Sequence, residues 1–61
     1  MNTLKAIIVD DEENARLILN NFISEFCPSV EIIAEAEDVK SAVKLINKND
    51  VDLVFLDIEM P

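Results

Sequence analysis

Asp10 and Asp11 close one short apolar run, Leu4 to Val9, and Asp57 closes another, Leu53 to Leu56, with Glu59 two positions further on. Runs of this length and apolarity read as buried strands of a parallel sheet. Acids that follow such strands would meet at the carboxyl edge of one sheet. Three carboxylates brought together repel one another unless a divalent cation or a proton is shared among them. Hard oxygen donors suit magnesium, which takes one or two carboxylates and keeps several waters. Asp10, Asp11 and Asp57 are therefore candidate members of a magnesium site in which one carboxylate stays free to act as a nucleophile.

Each acid also has a plainer reading. Asp10 to Glu13 form an acidic run at the expected start of a helix, where they would favour the helix dipole and Asp11 would cap it. That accounts for Glu12 and Glu13 but not for a second acid at the end of a neighbouring strand. Asp57 alone could be a turn residue or a cap, since Pro61 follows closely. The Glu59 side chain is expected to point to solvent. Asp57-x-Glu59 resembles the Asp-x-Asp of haloacid-dehalogenase-type phosphatases only faintly, because Met60 and Pro61 do not match.

The elements that must position these residues follow from the periodicity. Leu4 to Val9 is the first strand. From Glu12 the apolar positions Ala15, Ile18, Leu19, Phe22, Ile23 and Phe26 recur at three and four, while Glu13, Arg16, Asn20 and Asn21 fall on other faces. This predicts an amphipathic helix ending at Cys27, because Pro28 disfavours helical geometry in the residue before it. Phe22 and Phe26 are expected to be buried against the sheet. Val30 to Ala36 holds a second strand, and Asp38 is placed to cap a second helix with Val39, Ala42, Val43 and Ile46 as its buried stripe. Lys40, Lys44 and Lys48 repeat on another face and read as a solvated basic stripe. Val51 to Leu56 is the third strand.

Strand, helix, strand, helix, strand predicts an α/β fold with a doubly wound parallel sheet. If the second crossover runs opposite to the first, the strand order is 2-1-3 with one helix on each face, and strands one and three are neighbours. The order then reverses at their carboxyl ends, where ligands of open α/β sheets bind.

Composition prunes the alternatives. Thirteen acidic and five basic residues give a formal charge of −8, which argues against direct nucleic-acid binding by this segment. No apolar stretch reaches the roughly 18 residues of a membrane span, and Met1 to Lys5 lacks the regions of a secretory signal, so the expected location is cytoplasmic. The single Cys27 fits a reducing compartment and is expected to pack as a small apolar side chain. With no His and no Gly, the chain offers no Ser-His or Cys-His dyad, no His-ligated zinc, no Walker loop and no dinucleotide fingerprint. At 61 residues, 51% of them hydrophobic, there is room for one small domain with more apolar surface than it can readily bury. Either the fold continues in further residues, or another chain covers the remainder.

The strand ending in Asp10-Asp11-Glu12, the helix carrying Ala15 and Arg16, Ala34-Glu35-Ala36-Glu37-Asp38 before a helix with Ala42, and Leu53 to Pro61 with Asp57-Ile58-Glu59-Met60-Pro61 together resemble the receiver domain of bacterial two-component response regulators. The resemblance spans the chain, and its two ends look most like receivers attached to LytTR-type DNA-binding domains. It implies a flavodoxin-like (CheY-like) fold, here its amino-terminal half over residues 1–61. It implies that Asp57 is the phosphoacceptor, phosphorylated by a partner histidine kinase. It implies that Asp11 contacts Mg2+ directly, that Asp10 acts mainly through a bound water, and that the main-chain carbonyl of Glu59 is a further ligand. Val39 stands where the family often has Gly. The Ser or Thr and the Lys of the second half cannot be assigned here, so impaired phosphotransfer is expected. The protein is then a regulatory module rather than an enzyme, although a longer parent could carry a DNA-binding domain.

Another reading is a non-catalytic assembly module. With order 2-1-3 the third strand is an edge, and two copies could pair there antiparallel to make a homodimer or a higher assembly. A phosphatase-like or calcium-binding use of the same acids lacks its partners, since there is no Asp-x-Asp-x-Asp-Gly loop.

Overall fold

The computed structural model describes residues 3–56. Within them the chain forms β1 (Leu4–Val9), α1 (Glu13–Phe26), β2 (Val30–Ala36), α2 (Val39–Lys48) and β3 (Leu53–Leu56). The strands make one parallel sheet in the order β2-β1-β3, as expected. β3 is shorter than the expected Val51 to Leu56, because Val51 and Asp52 precede the ladder. Asp52 nevertheless fastens the strand's entry: its N–H donates to the Lys5 carbonyl at 2.7 Å, and its Oδ2 accepts the Lys5 N–H at 2.9 Å.

β1 is the centre of the sheet, and Ala6, Ile7, Ile8 and Val9 are fully buried. A strand flanked on both edges and covered on both faces must be apolar at successive positions, which accounts for the unbroken run in the sequence. Ile7 and Val9 pack with Ala36 and Ala42, bringing α2 onto one face, where Ile33, Ala34, Leu45 and Val51 join them. α1 lies on the opposite face and reaches Glu35, the register partner of Ile8.

β2 achieves this division through a bulge. Ala6 pairs with Ile32 but Ile7 pairs with Ala34, so Ile33 is an extra residue. Side chains alternate along a strand, and one inserted residue exchanges the faces of everything beyond it. Ile33 and Ala34 therefore both contribute to the α2 face, and Glu35 turns toward α1.

The helix faces differ from those the periodicity suggested. In α1 the buried residue is Ile23, at 2% exposure, with Ala15 and Leu19 half-buried, whereas Phe22 and Phe26 are 56% and 63% exposed. Those rings rest on each other, with centroids 4.9 Å apart and planes tilted by 46°. Ile18 is exposed with them. Arg16 and Asn20, assigned to other faces, are half-buried toward β2. The face in contact with the sheet is thus rotated toward Ala15, Leu19 and Ile23, because Arg16 and Asn20 are drawn to Glu35. In α2 the buried position is Ala42, supported by Leu45, while Val39, Val43 and Ile46 are exposed. Asp38 caps this helix as expected, its Oδ1 accepting the Ser41 N–H at 2.7 Å. Lys40, Lys44 and Lys48 are all exposed.

Neither helix packs on β3. Leu53, Val54 and Leu56 are exposed, which is unusual for a strand in a parallel sheet. No helix among the described residues is long and apolar enough to cross a membrane.

Candidate functional site

The carboxyl end of β1 carries Asp10, the one buried charged side chain among the described residues, at 6% exposure. Its main chain and one carboxylate oxygen are committed. The Asp10 N–H extends the β1–β2 ladder by donating to the Ala36 carbonyl at 3.0 Å. Its Oδ1 accepts the Glu12 N–H at 2.9 Å, and its carbonyl accepts Nη1 of Arg16 at 2.6 Å. The cap-like bond at the entry to α1 is therefore made by Asp10 and not by Asp11, as the sequence had suggested. One acid earlier, the carboxylate spans the loop to Glu12, the residue that precedes the helix and makes no side-chain cap of its own. Asp11 is exposed and follows directly.

A second acid is held nearby. Glu35 Oε1 accepts Nε of Arg16 at 3.2 Å, and Oε2 accepts Nδ2 of Asn20 at 3.0 Å. The Arg16 side chain is 16% exposed and that of Glu35 is 36% exposed. Arg16 thus joins α1, β2 and the loop after β1. The sequence marked Arg16 and Glu35 only as parts of a resemblance; their pairing depends on the bulge at Ile33, which no Gly or Pro announces.

At the other side of β1, Val9 is level with Leu56 in the ladder. β1 and β3 therefore end together, and in the sequence Asp10 follows Val9 as Asp57 follows Leu56. Of the expected site residues, Asp10 and Asp11 stand at this edge, while Asp57 and Glu59 lie outside the described residues. Among the described residues no three metal-ligating side chains gather. The donor chemistry of Asp10 and Asp11 still fits magnesium, whose usual share of protein ligands is one or two carboxylates.

An open α/β sheet of order 2-1-3 with a buried aspartate at its central carboxyl edge agrees with the comparison with known proteins, in which the response regulator receiver domain matches residues 6–61. The chain belongs to the receiver domain family. Its relatives include a response regulatory protein of Vibrio cholerae, 42% identical over 59 residues, which are 97% of this chain and 23% of that protein. The sensory transduction protein LytT of Bacillus anthracis is 46% identical over 57 residues, 93% of this chain and 23% of LytT. This match accords with the LytTR-like ends of the sequence. A protein-glutamate methylesterase/protein-glutamine glutaminase of Geobacillus kaustophilus is 38% identical over all 61 residues of this chain, which cover 17% of that enzyme. The receiver spans about a quarter or less of each of these relatives. No solved structure matches it.

Proposed function

We propose that this receiver is a cytoplasmic phosphoacceptor module of a two-component system, accepting a phosphoryl group on Asp57 from a sensor histidine kinase. A carboxylate oxygen of Asp57 attacks the phosphorus of the phosphohistidine, the P–N bond breaks, and the imidazole leaves with that electron pair. A bound Mg2+ would neutralise charge on the transferring group. Asp11, exposed beside the sheet edge, would hold it directly, Asp10 through water, and the Glu59 carbonyl would complete the protein's share. Asp10 and Asp11 would hold the ion without being consumed. Because these 61 residues hold no His, the donor lies outside them. The receiver acts as a regulatory module, with transcription regulation as the output of a longer protein.

The observation that carries this reading is the level ending of β1 and β3, Val9 opposite Leu56, with a buried Asp10 next along the first strand. Magnesium titration tests it. Binding should be lost in Asp11→Ala and in Asp57→Ala, and equal affinity in the wild type and both variants would remove the carboxylate site.

The uncovered β3 favours a second reading alongside the first. Leu53, Val54 and Leu56 are exposed, no helix covers them, and among the described residues β3 has a neighbour on one edge only. A second copy pairing antiparallel along that edge would cover this surface and form a homodimer.

A further inference from the structure

We infer that Arg16 is the positioning residue of the acidic corner, holding the peptide between Asp10 and Asp11 in the orientation that aims the Asp11 carboxylate at the sheet edge. The inference rests on the magnesium reading of Asp10 and Asp11. A peptide unit is planar, so fixing the Asp10 carbonyl oxygen fixes the plane that ends at the Asp11 Cα. Nη1 of Arg16 does so at 2.6 Å. The Asp10 N–H is bonded to Ala36 and its Oδ1 to Glu12, and Arg16 is the donor that fixes the carbonyl.

Arg16 is in turn held. Its Nε meets Glu35 Oε1 at 3.2 Å, and Asn20, one helical turn along α1, takes the other Glu35 oxygen at 3.0 Å. Glu35 faces α1 only because the bulge at Ile33 reverses the alternation of β2. The irregularity in the strand and the Asn20 amide hold Glu35, and Glu35 in turn holds a guanidinium whose fork bonds two acceptors in one plane.

Charge alone would oppose this role. A fixed cation beside a site for Mg2+ repels the ion, so deleting Arg16 for purely electrostatic reasons would tighten magnesium binding. Positioning predicts the reverse sign, which makes the two separable.

The experiment is magnesium affinity by calorimetry, with the amide NMR shifts of residues 10–12 followed in the same titration. It is run on the wild type, Arg16→Gln, Arg16→Lys, Glu35→Ala, the Arg16→Gln/Glu35→Ala pair and Asp11→Asn, each checked for folding by circular dichroism. Arg16→Gln should weaken magnesium about tenfold, the lower end of what loss of an outer-shell partner does to a metal site. Arg16→Lys should not rescue it, since one ammonium cannot reproduce the fork. Glu35→Ala should weaken binding in the same direction, and the double variant should lose no more than the larger single loss, as expected of one coupled network. Should Arg16→Gln not fold, Arg16→Lys, which keeps the charge but not the fork, decides the matter by the same criterion. Unchanged or tighter binding in the folded Arg16 and Glu35 variants overturns the positioning role while Asp11→Asn still abolishes binding. Binding that survives Asp11→Asn at full strength overturns the site reading and the inference with it.

Discussion

Truncating Ile23 should cost the receiver far more than truncating Phe22, although Phe22 is the larger side chain. Ile23 is 2% exposed on the inner face of α1, and Phe22 is 56% exposed one residue earlier. Removing a buried isoleucine to alanine costs about 2 to 5 kcal/mol, combining lost transfer energy with the cavity left behind. A chain of this length has a total stability of about 3 to 9 kcal/mol, at about 0.05 to 0.15 kcal/mol per residue. Ile23→Ala should therefore leave the protein marginal or unfolded. Ile23→Val, at about 0.5 to 1.5 kcal/mol, should give a measurable intermediate. Phe22→Ala mainly loses its contact with Phe26, of the order of 0.5 to 1.5 kcal/mol for an aromatic pair. Urea titration followed by far-ultraviolet circular dichroism, at a concentration where the protein is monomeric, measures all three. A Phe22→Ala loss equal to or larger than that of Ile23→Ala would show that α1 is turned the wrong way.

Asp38 supplies a pH test. The Ser41 backbone N–H, then the Ser41 side chain, hold its carboxyl below the ordinary aspartate value against an opposing desolvation, with Lys40 and Lys44 adding lesser effects. A depressed folded-state value stabilises above the unfolded value, and that contribution disappears as pH falls through the depressed one. The α2 cap should thus persist to below the usual aspartate range. Carboxyl NMR reads this directly, and titration of Asp38 at or above the ordinary value would contradict it. Asp52→Ala should loosen the start of β3, seen as faster hydrogen exchange at Lys5, whose N–H it releases; unchanged protection there would make the contact irrelevant. Sedimentation should show a concentration-dependent dimer that Leu56→Lys dissociates, and a compact monomer throughout would dismiss the β3 pairing.

The strands were legible because β1 is flanked on both edges and is apolar at every position from Ala6 to Val9, and because the acids that follow it mark where it leaves the sheet. The caps and breaks of α2 were legible for a similar local reason, since Asp38 needs only Ser41 three residues on. The helix faces were not. α1 carries Ile18, Phe22 and Phe26 as well as Ala15, Leu19 and Ile23, so its apolar stripe is wider than the surface it rests on, and periodicity cannot say which part makes contact. What turns the helix is a polar tie between Arg16, Asn20 and Glu35, and that tie needs a register shift within β2 that composition does not encode. Within the site, Asp10 and Asp11 were both legible as candidates. Their division of labour was not, because either acid could have reached back to the helix start and only the geometry assigns that bond to Asp10.

The central claim, that Asp57 accepts a phosphoryl group at the corner made by Asp10 and Asp11, is tested most directly by intact-protein mass after incubation with acetyl phosphate and Mg2+. Asp57→Asn serves as the control, and circular dichroism confirms that both proteins are folded. The account predicts a single phosphoryl adduct, formed slowly for want of the Ser or Thr and the Lys of the second half, that requires Mg2+ and is absent from Asp57→Asn. An adduct of equal extent on the Asp57→Asn protein, or none on the folded wild type, would contradict it.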